Sequence, residues 1–168
     1  TLWPQRIPGI FLEFEGYLQD QETVIAKEFL VELYLLDGGK EEAVDELEEI
    51  LELDPLNLNH YKKLARLYQR SGDFQSIINL LKKPYTLSIH DDEEITHLLA
   101  LAYVEQKNIP RAIEVYETLI QNNRQKEQYH RTLSELYFRN NQYQKAAQTA
   151  IQRLDLSEAS SSDVIEFI

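Results

Sequence analysis

The stretch LALAYVEQKNIPRAIEVYE, from Leu99 to Glu117, decides the fold. Leu99, Ala100 and Tyr103 make one apolar stripe, and Ile109, Ala112, Ile113 and Tyr116 make a second. Their spacing of three, four or seven residues predicts two amphipathic helices. Between them, Gln106 to Asn108 leaves room only for a tight reversal, which sets the helices antiparallel with their stripes facing. The unit is a helical hairpin.

The same pattern stands three more times in the chain at a period of about 34 residues, and a fixed period of that size predicts an array of stacked units. Tyr103 has its equivalents in Tyr34, Tyr68 and Tyr137. Four residues before these tyrosines stand Leu30, Leu64, Leu99 and Leu133, followed by Val31, Ala65, Ala100 and Ser134. Nine residues after them, the second helix carries Ala43, Ile77, Ala112 and Ala146, mostly small enough to let neighbouring helices approach. The fold class is all-α. Hairpins are expected over 24–57, 58–92, 93–126 and 127–160, with an extended segment and capping helix over 1–23 and the start of a further helix over 161–168.

Over roughly residues 24–160 this pattern resembles the tetratricopeptide repeat family. The resemblance rests on LARLYQRSGDF from Leu64 to Phe74, similar spacing before Gly38, the Asp54-Pro55 pair closing the first repeat, and Tyr143 with Ala146 in the last. There are departures. Lys27, Tyr61, Thr96 and His130 stand where the family has Trp, and the second repeat has Ile77 for Ala and Pro84 for its second small residue. The resemblance implies an α-α superhelix of four hairpins and a non-enzymatic scaffold, without cofactor, that holds a partner peptide or amphipathic helix in a concave groove.

In the family, that groove is lined by first-helix positions two, five, nine and twelve. By register these fall on Ile25, Glu28, Glu32 and Leu35; on Asn59, Lys62, Arg66 and Gln69; on Glu94, His97, Leu101 and Val104; and on Gln128, Arg131, Glu135 and Phe138. Leu101 is apolar where the other hairpins have Glu32, Arg66 and Glu135. It is therefore expected either to join Val104 and Phe138 in a solvent-facing apolar patch or to be buried against a neighbour. The family's carboxylate clamp, which uses Lys, Asn and Arg in the groove helices, is absent from these positions. An acidic chaperone tail would meet repulsion at Glu28 and Glu32.

Composition bounds the rest. The chain has 168 residues, long enough for a sizeable core. Only 5 glycines and 5 prolines suit helices joined by short turns. With no cysteine, disulfides, thiolate metal sites and cysteine nucleophiles are excluded, and either redox compartment is allowed; we expect a cytoplasmic one. No apolar run reaches the length of a membrane span. The absent methionine suggests a piece of something longer.

Net charge is -12, and all of the excess is N-terminal: residues 1–57 hold 3 basic and 15 acidic side chains, residues 58–168 hold 14 of each. Glu41 to Asp54, EEAVDELEEILELD, reads as a helix with a buried Ala43, Val44, Leu47, Ile50, Leu51 stripe and a solvated acidic face, or else a patch for a basic partner. Such a field repels phosphate backbones, so nucleic acid is not an expected partner.

Four local features complete the reading. Pro4 and Pro8 precede Ile10, Phe11, Phe14, Tyr17 and Leu18 at helical spacing, which suggests a cap for the first hairpin or, through Trp3, Phe11 and Phe14, a docking helix for another chain. Gly72 is placed to cap the second hairpin's first helix, and Pro84 should stop its second helix by Lys83. His90, Asp91, Asp92, Glu93, Glu94 and His97 are dense in metal-ligand types, but one Glu94–His97 pair lacks the second pair a di-iron bundle needs, so an N-cap at Asp91 or Asp92 explains the acids without a metal. His60 and His130, at or beside helix starts, read as packing or surface residues. After a serine-rich break, Val164 and Phe167 fit a fifth, half-built hairpin. Two alternatives to the groove scaffold are a structural protein self-associating through its open array ends and, less in keeping with the residues, a metal-binding helical protein.

Overall fold

The computed structural model describes residues 8–82, 92–122 and 126–165, with side chains between residues 19 and 154. These residues form α1 (Pro8–Asp37), α2 (Lys40–Leu53), α3 (Leu58–Ser71), α4 (Phe74–Leu81), α5 (Glu93–Glu105), α6 (Ile109–Asn122), α7 (Glu127–Arg139) and α8 (Tyr143–Ile165). No strand occurs among them. The chain divides into two compact units, Thr1–Leu67 and Tyr68–Ile168.

One turn, built four times, makes the hairpins. Just beyond each first helix, one residue on after α1 and α3 and two on after α5 and α7, a residue takes positive φ: Gly38 at 86°, Gly72 at 74°, Lys107 at 57° and Asn141 at 60°. The next amide then donates back to the carbonyl of the repeat tyrosine. The bonds are Gly39 to Tyr34 at 2.8 Å, Asp73 to Tyr68 at 2.9 Å, Asn108 to Tyr103 at 2.9 Å and Gln142 to Tyr137 at 2.8 Å. This is the Schellman closure, in which a left-handed residue lets an otherwise orphaned carbonyl be satisfied. Ala43, Ile77, Ala112 and Ala146 follow on the first turn of each second helix, and all four are buried.

In the first unit α1 packs on α2. Val24 and Val31 of α1 and Ala43, Leu47 and Ile50 of α2 are buried, and Lys27 Nζ crosses to Glu46 at 2.7 Å and Glu49 at 2.6 Å. In the second unit the packed pairs are α4 with α5, α5 with α6, α6 with α7, and α7 with α8. Its core includes Ile77, Leu81, Ile95, Leu99, Tyr103, Ala112, Tyr116, Leu119, Leu133 and Leu136.

Three expectations meet a different structure or fall outside it. Residues 10–18 do not form a separate capping helix: α1 runs unbroken through them, because Gly16 costs a helix only about 1 kcal/mol and no proline follows Pro8 within α1. The serine-rich break is not a break either, since α8 continues to Ile165; serine is a mediocre helix former, not a stop. α4 ends at Leu81 with Lys82 as its C-cap, while Pro84, the link to Asp91, the Trp3, Phe11 and Phe14 side chains and residues 166–168 lie outside the described residues.

Candidate partner-binding site

The expected first-helix positions are taken unit by unit. In the first unit, Glu32 is exposed and accepts from Lys63 Nζ at 3.3 Å. Glu28 is half-buried, with a carboxylate oxygen 3.7 Å from His60 Nδ1. Leu35 and Lys62 are half-buried, and Asn59 and Arg66 are exposed. Acidic positions on α1 therefore stand with basic ones on α3, a face suited to a peptide carrying both signs. By sequence His60 is a packing or surface residue; in the structure it is an anchor, 1% exposed. Its Nε2 is 3.2 Å from Asp54 Oδ2, which also accepts from Asn57 Nδ2 at 3.1 Å, so the Asp54-Pro55 pair positions the start of α3 through this imidazole.

In the second unit, which opens with exposed Gln69 at the end of α3, the expected positions separate. His97 is built into an aromatic cluster, its ring 6.2 Å from that of Tyr116 and 5.2 Å from that of Tyr129. Burial holds its imidazole below the ordinary histidine value. Burial also pushes the Tyr116 phenol up to about 12. Tyr129 reaches about 12 through burial first and then its bond to Glu93, whose carboxylate accepts from Tyr129 Oη at 2.6 Å and from Lys126. His97 thus fastens α5 to α6 and α7. Asp92 is the N-cap of α5, accepting from the Ile95 amide at 3.1 Å. Among the described residues no group of three metal-ligating side chains is arranged to hold an ion.

Leu101 and Val104 are half-buried, between the two expected outcomes. Arg131 and Glu135 are exposed and paired, Nε to Oε1 at 3.3 Å. Phe138 is 63 % exposed, but its ring packs on Tyr143 at 5.4 Å between centroids. With Tyr143 it borders an open cavity of about 750 Å³ between α7 and α8, whose floor is Ala146, Ala147 and Ala150. The first-helix register named Glu135 and Phe138 of this lining but not its α8 side, Tyr143 and the alanines. Its signal was available in the run of alanines on α8 beside two exposed aromatic rings.

Residues 97–163 match the tetratricopeptide repeat family. The hairpin period, the four Schellman turns and this match define the class: residues 97–163 are tetratricopeptide repeats, and the fold of the chain is the all-α superhelical repeat fold of that family. A Drosophila melanogaster protein described as "BBSome complex member BBS4 homolog" is 30% identical over 141 residues, covering 77% of this chain and 29% of the relative. The chain thus spans under a third of that relative's length. Among solved structures, MamA superposes with a TM-score of 0.70 at 20% identity, over 82% of this chain and 75% of that one. YrrB, described as a TPR protein with an unusual peptide-binding site, superposes with a TM-score of 0.64 at 14% identity, over 79% and 68%. At these identities the two structures show the fold. No helix among the described residues is long and apolar enough to cross a membrane.

Proposed function

We propose that this chain is a non-catalytic protein-interaction scaffold that binds a peptide or amphipathic helix along its first-helix faces, as part of a multi-subunit assembly. One observation carries the reading: the positions that line the groove in the family keep their polar side chains at the surface or half-buried, with Glu32 facing Lys63 and Arg131 paired to Glu135. Exposed pairs of this kind contribute only about 0.2–1 kcal/mol to stability, so they are cheaply exchanged for contacts to a partner. The Drosophila relative is described as a member of a complex and YrrB as peptide-binding, which supports an assembly role and a peptide ligand. The excess negative charge disfavours nucleic acid as a partner. Capture from cell extract, comparing Arg66→Glu and Leu101→Glu with second-helix controls Glu52→Lys and Gln121→Glu, tests it. The same bound proteins should be lost with both first-helix variants and kept with both controls. Loss with the controls, or retention with the first-helix pair, overturns the reading.

A further inference from the structure

Among the described residues, the α7–α8 groove and one face of α1 are exposed, and the rest of the array shows what packs against such faces. Within the second unit α7 is the template. It closes the groove between α5 and α6 by laying Tyr129 against His97 at 5.2 Å and against Tyr116 at 6.2 Å, with the Thr132 hydroxyl bonded to the Tyr116 phenol. One repeat later the same groove, between α7 and α8, is an open cavity of about 750 Å³.

By the repeat register, α1 presents Ala26, Phe29, Leu30 and Leu33 where α7 presents Tyr129, Thr132, Leu133 and Leu136. On α7, Tyr129, Leu133 and Leu136 are 2–4% exposed. On α1, Phe29 is 67% exposed, Leu33 46% and Leu30 38%, with Ile25 at 65% continuing the stripe. The volumes are exchanged in step. Where the template pairs a large Tyr116 with a small Thr132, the open groove has the small Ala150 and α1 the large Phe29. Where it pairs Tyr129 with His97, α1 has Ala26 and the groove the longer Arg131. The charges agree as well, since α1 carries seven acidic side chains and one basic, whereas residues 126–154 carry five basic and two acidic.

We propose that the α7–α8 groove receives α1 of a second copy of this chain, seated as α7 is seated on α5 and α6. The contact is heterologous, head to tail, so it adds copies in series instead of closing a two-fold dimer. Seating Phe29 over the alanine floor removes two exposed apolar faces from water at once.

Sedimentation of the whole chain tests the proposal, since the weight-average mass should rise from 19.8 kDa past twice that value as concentration rises. Two variants block one end each: Phe29→Glu with Leu33→Glu, and Phe138→Glu with Ala147→Glu. All four positions are exposed, and unchanged helical circular dichroism verifies folding. Each variant alone should stay at chain mass, and a 1:1 mixture should give a complex of twice the chain mass and nothing larger. Wild type that remains monomeric at several hundred micromolar overturns the proposal. So does a mixture that fails to pair, or a variant that still dimerises, which would mean like faces meet. As a further arm, Ala150→Phe in one copy should restore pairing lost through Phe29→Ala in the other; failure of that exchange overturns the seating.

Discussion

Lys107 holds, at φ 57°, the left-handed backbone conformation that Gly72 holds at 74° one repeat earlier. The turns close alike, with a 2.9 Å bond from the following amide to the repeat tyrosine carbonyl in both, but only the lysine sets a Cβ against that conformation. The cost for an L residue is about 1 kcal/mol or slightly more. Lys107→Gly should therefore raise the unfolding free energy by about 1 kcal/mol in denaturant titration, and Asn141→Gly by less, because asparagine tolerates this region better. Gly72→Ala should destabilise. An unchanged midpoint for Lys107→Gly would mean that the strain is absorbed elsewhere.

Asp73 caps α4 by accepting from the Ser76 amide at 3.0 Å and from its hydroxyl at 2.7 Å. Asp73→Ala should cost about 1 kcal/mol.

The acid limb of stability follows from Asp73 and Glu93. The Ser76 amide and hydroxyl hold the Asp73 carboxyl below its usual value. Lys126 first, then Tyr129, does the same for Glu93. The folded chain binds fewer protons here than the unfolded one. The contribution is complete above the unfolded carboxylate value, about 4, and is lost as pH falls through the lower folded values. Asp73→Asn, which keeps an acceptor but cannot titrate, should flatten stability against pH below about 4. A slope equal to that of the wild type removes Asp73 from the account.

Tyr116 and Tyr129, pushed up to about 12, give the alkaline limb. Their folded values lie above the unfolded value of about 10, so the stability they confer is complete below that and is lost as pH rises towards 12. Phenolate absorbance from this pair should appear only near pH 12, together with loss of helix. Tyr116→Phe and Tyr129→Phe should each remove part of that late rise. If the rise is intact in both, the cluster is more open to water than its burial indicates.

Ala112 and Ala147 separate a closed core position from an open groove position. Ala112 is 0% exposed on α6, so Ala112→Leu should cost about 1–3 kcal/mol by overpacking. Ala147 lies exposed in the open groove of α8, and Ala147→Leu should stay within about 0.5 kcal/mol of wild type. Chemical denaturation of both variants gives the comparison directly.

The repeat period was legible because tyrosine, leucine and the small residues recur at fixed offsets, and burial of Ala43, Ile77, Ala112 and Ala146 follows from that spacing alone. What could not be read was where a helix would decline to stop. Gly16 and the serines after Leu156 resemble punctuation, yet each costs a helix too little to end it when its neighbours propagate it. The left-handed turns at Lys107 and Asn141 were equally hidden, because neither residue announces the conformation as Gly72 does. In the candidate site, register located the charged positions, but the directions of Phe138 towards Tyr143 and of His97 into the Tyr116–Tyr129 cluster depend on packing between helices, which spacing within one helix does not specify.

The helices of the second unit pack in chain order, α4 to α5, α5 to α6, α6 to α7 and α7 to α8. Their assembly needs only short loops to close, so contact order is low and folding is expected on the fast side for a chain of this length. The same adjacency limits cooperativity to nearest neighbours: a lesion in α8 frays the end and leaves α5 and α6 formed, whereas one in α6 severs the string.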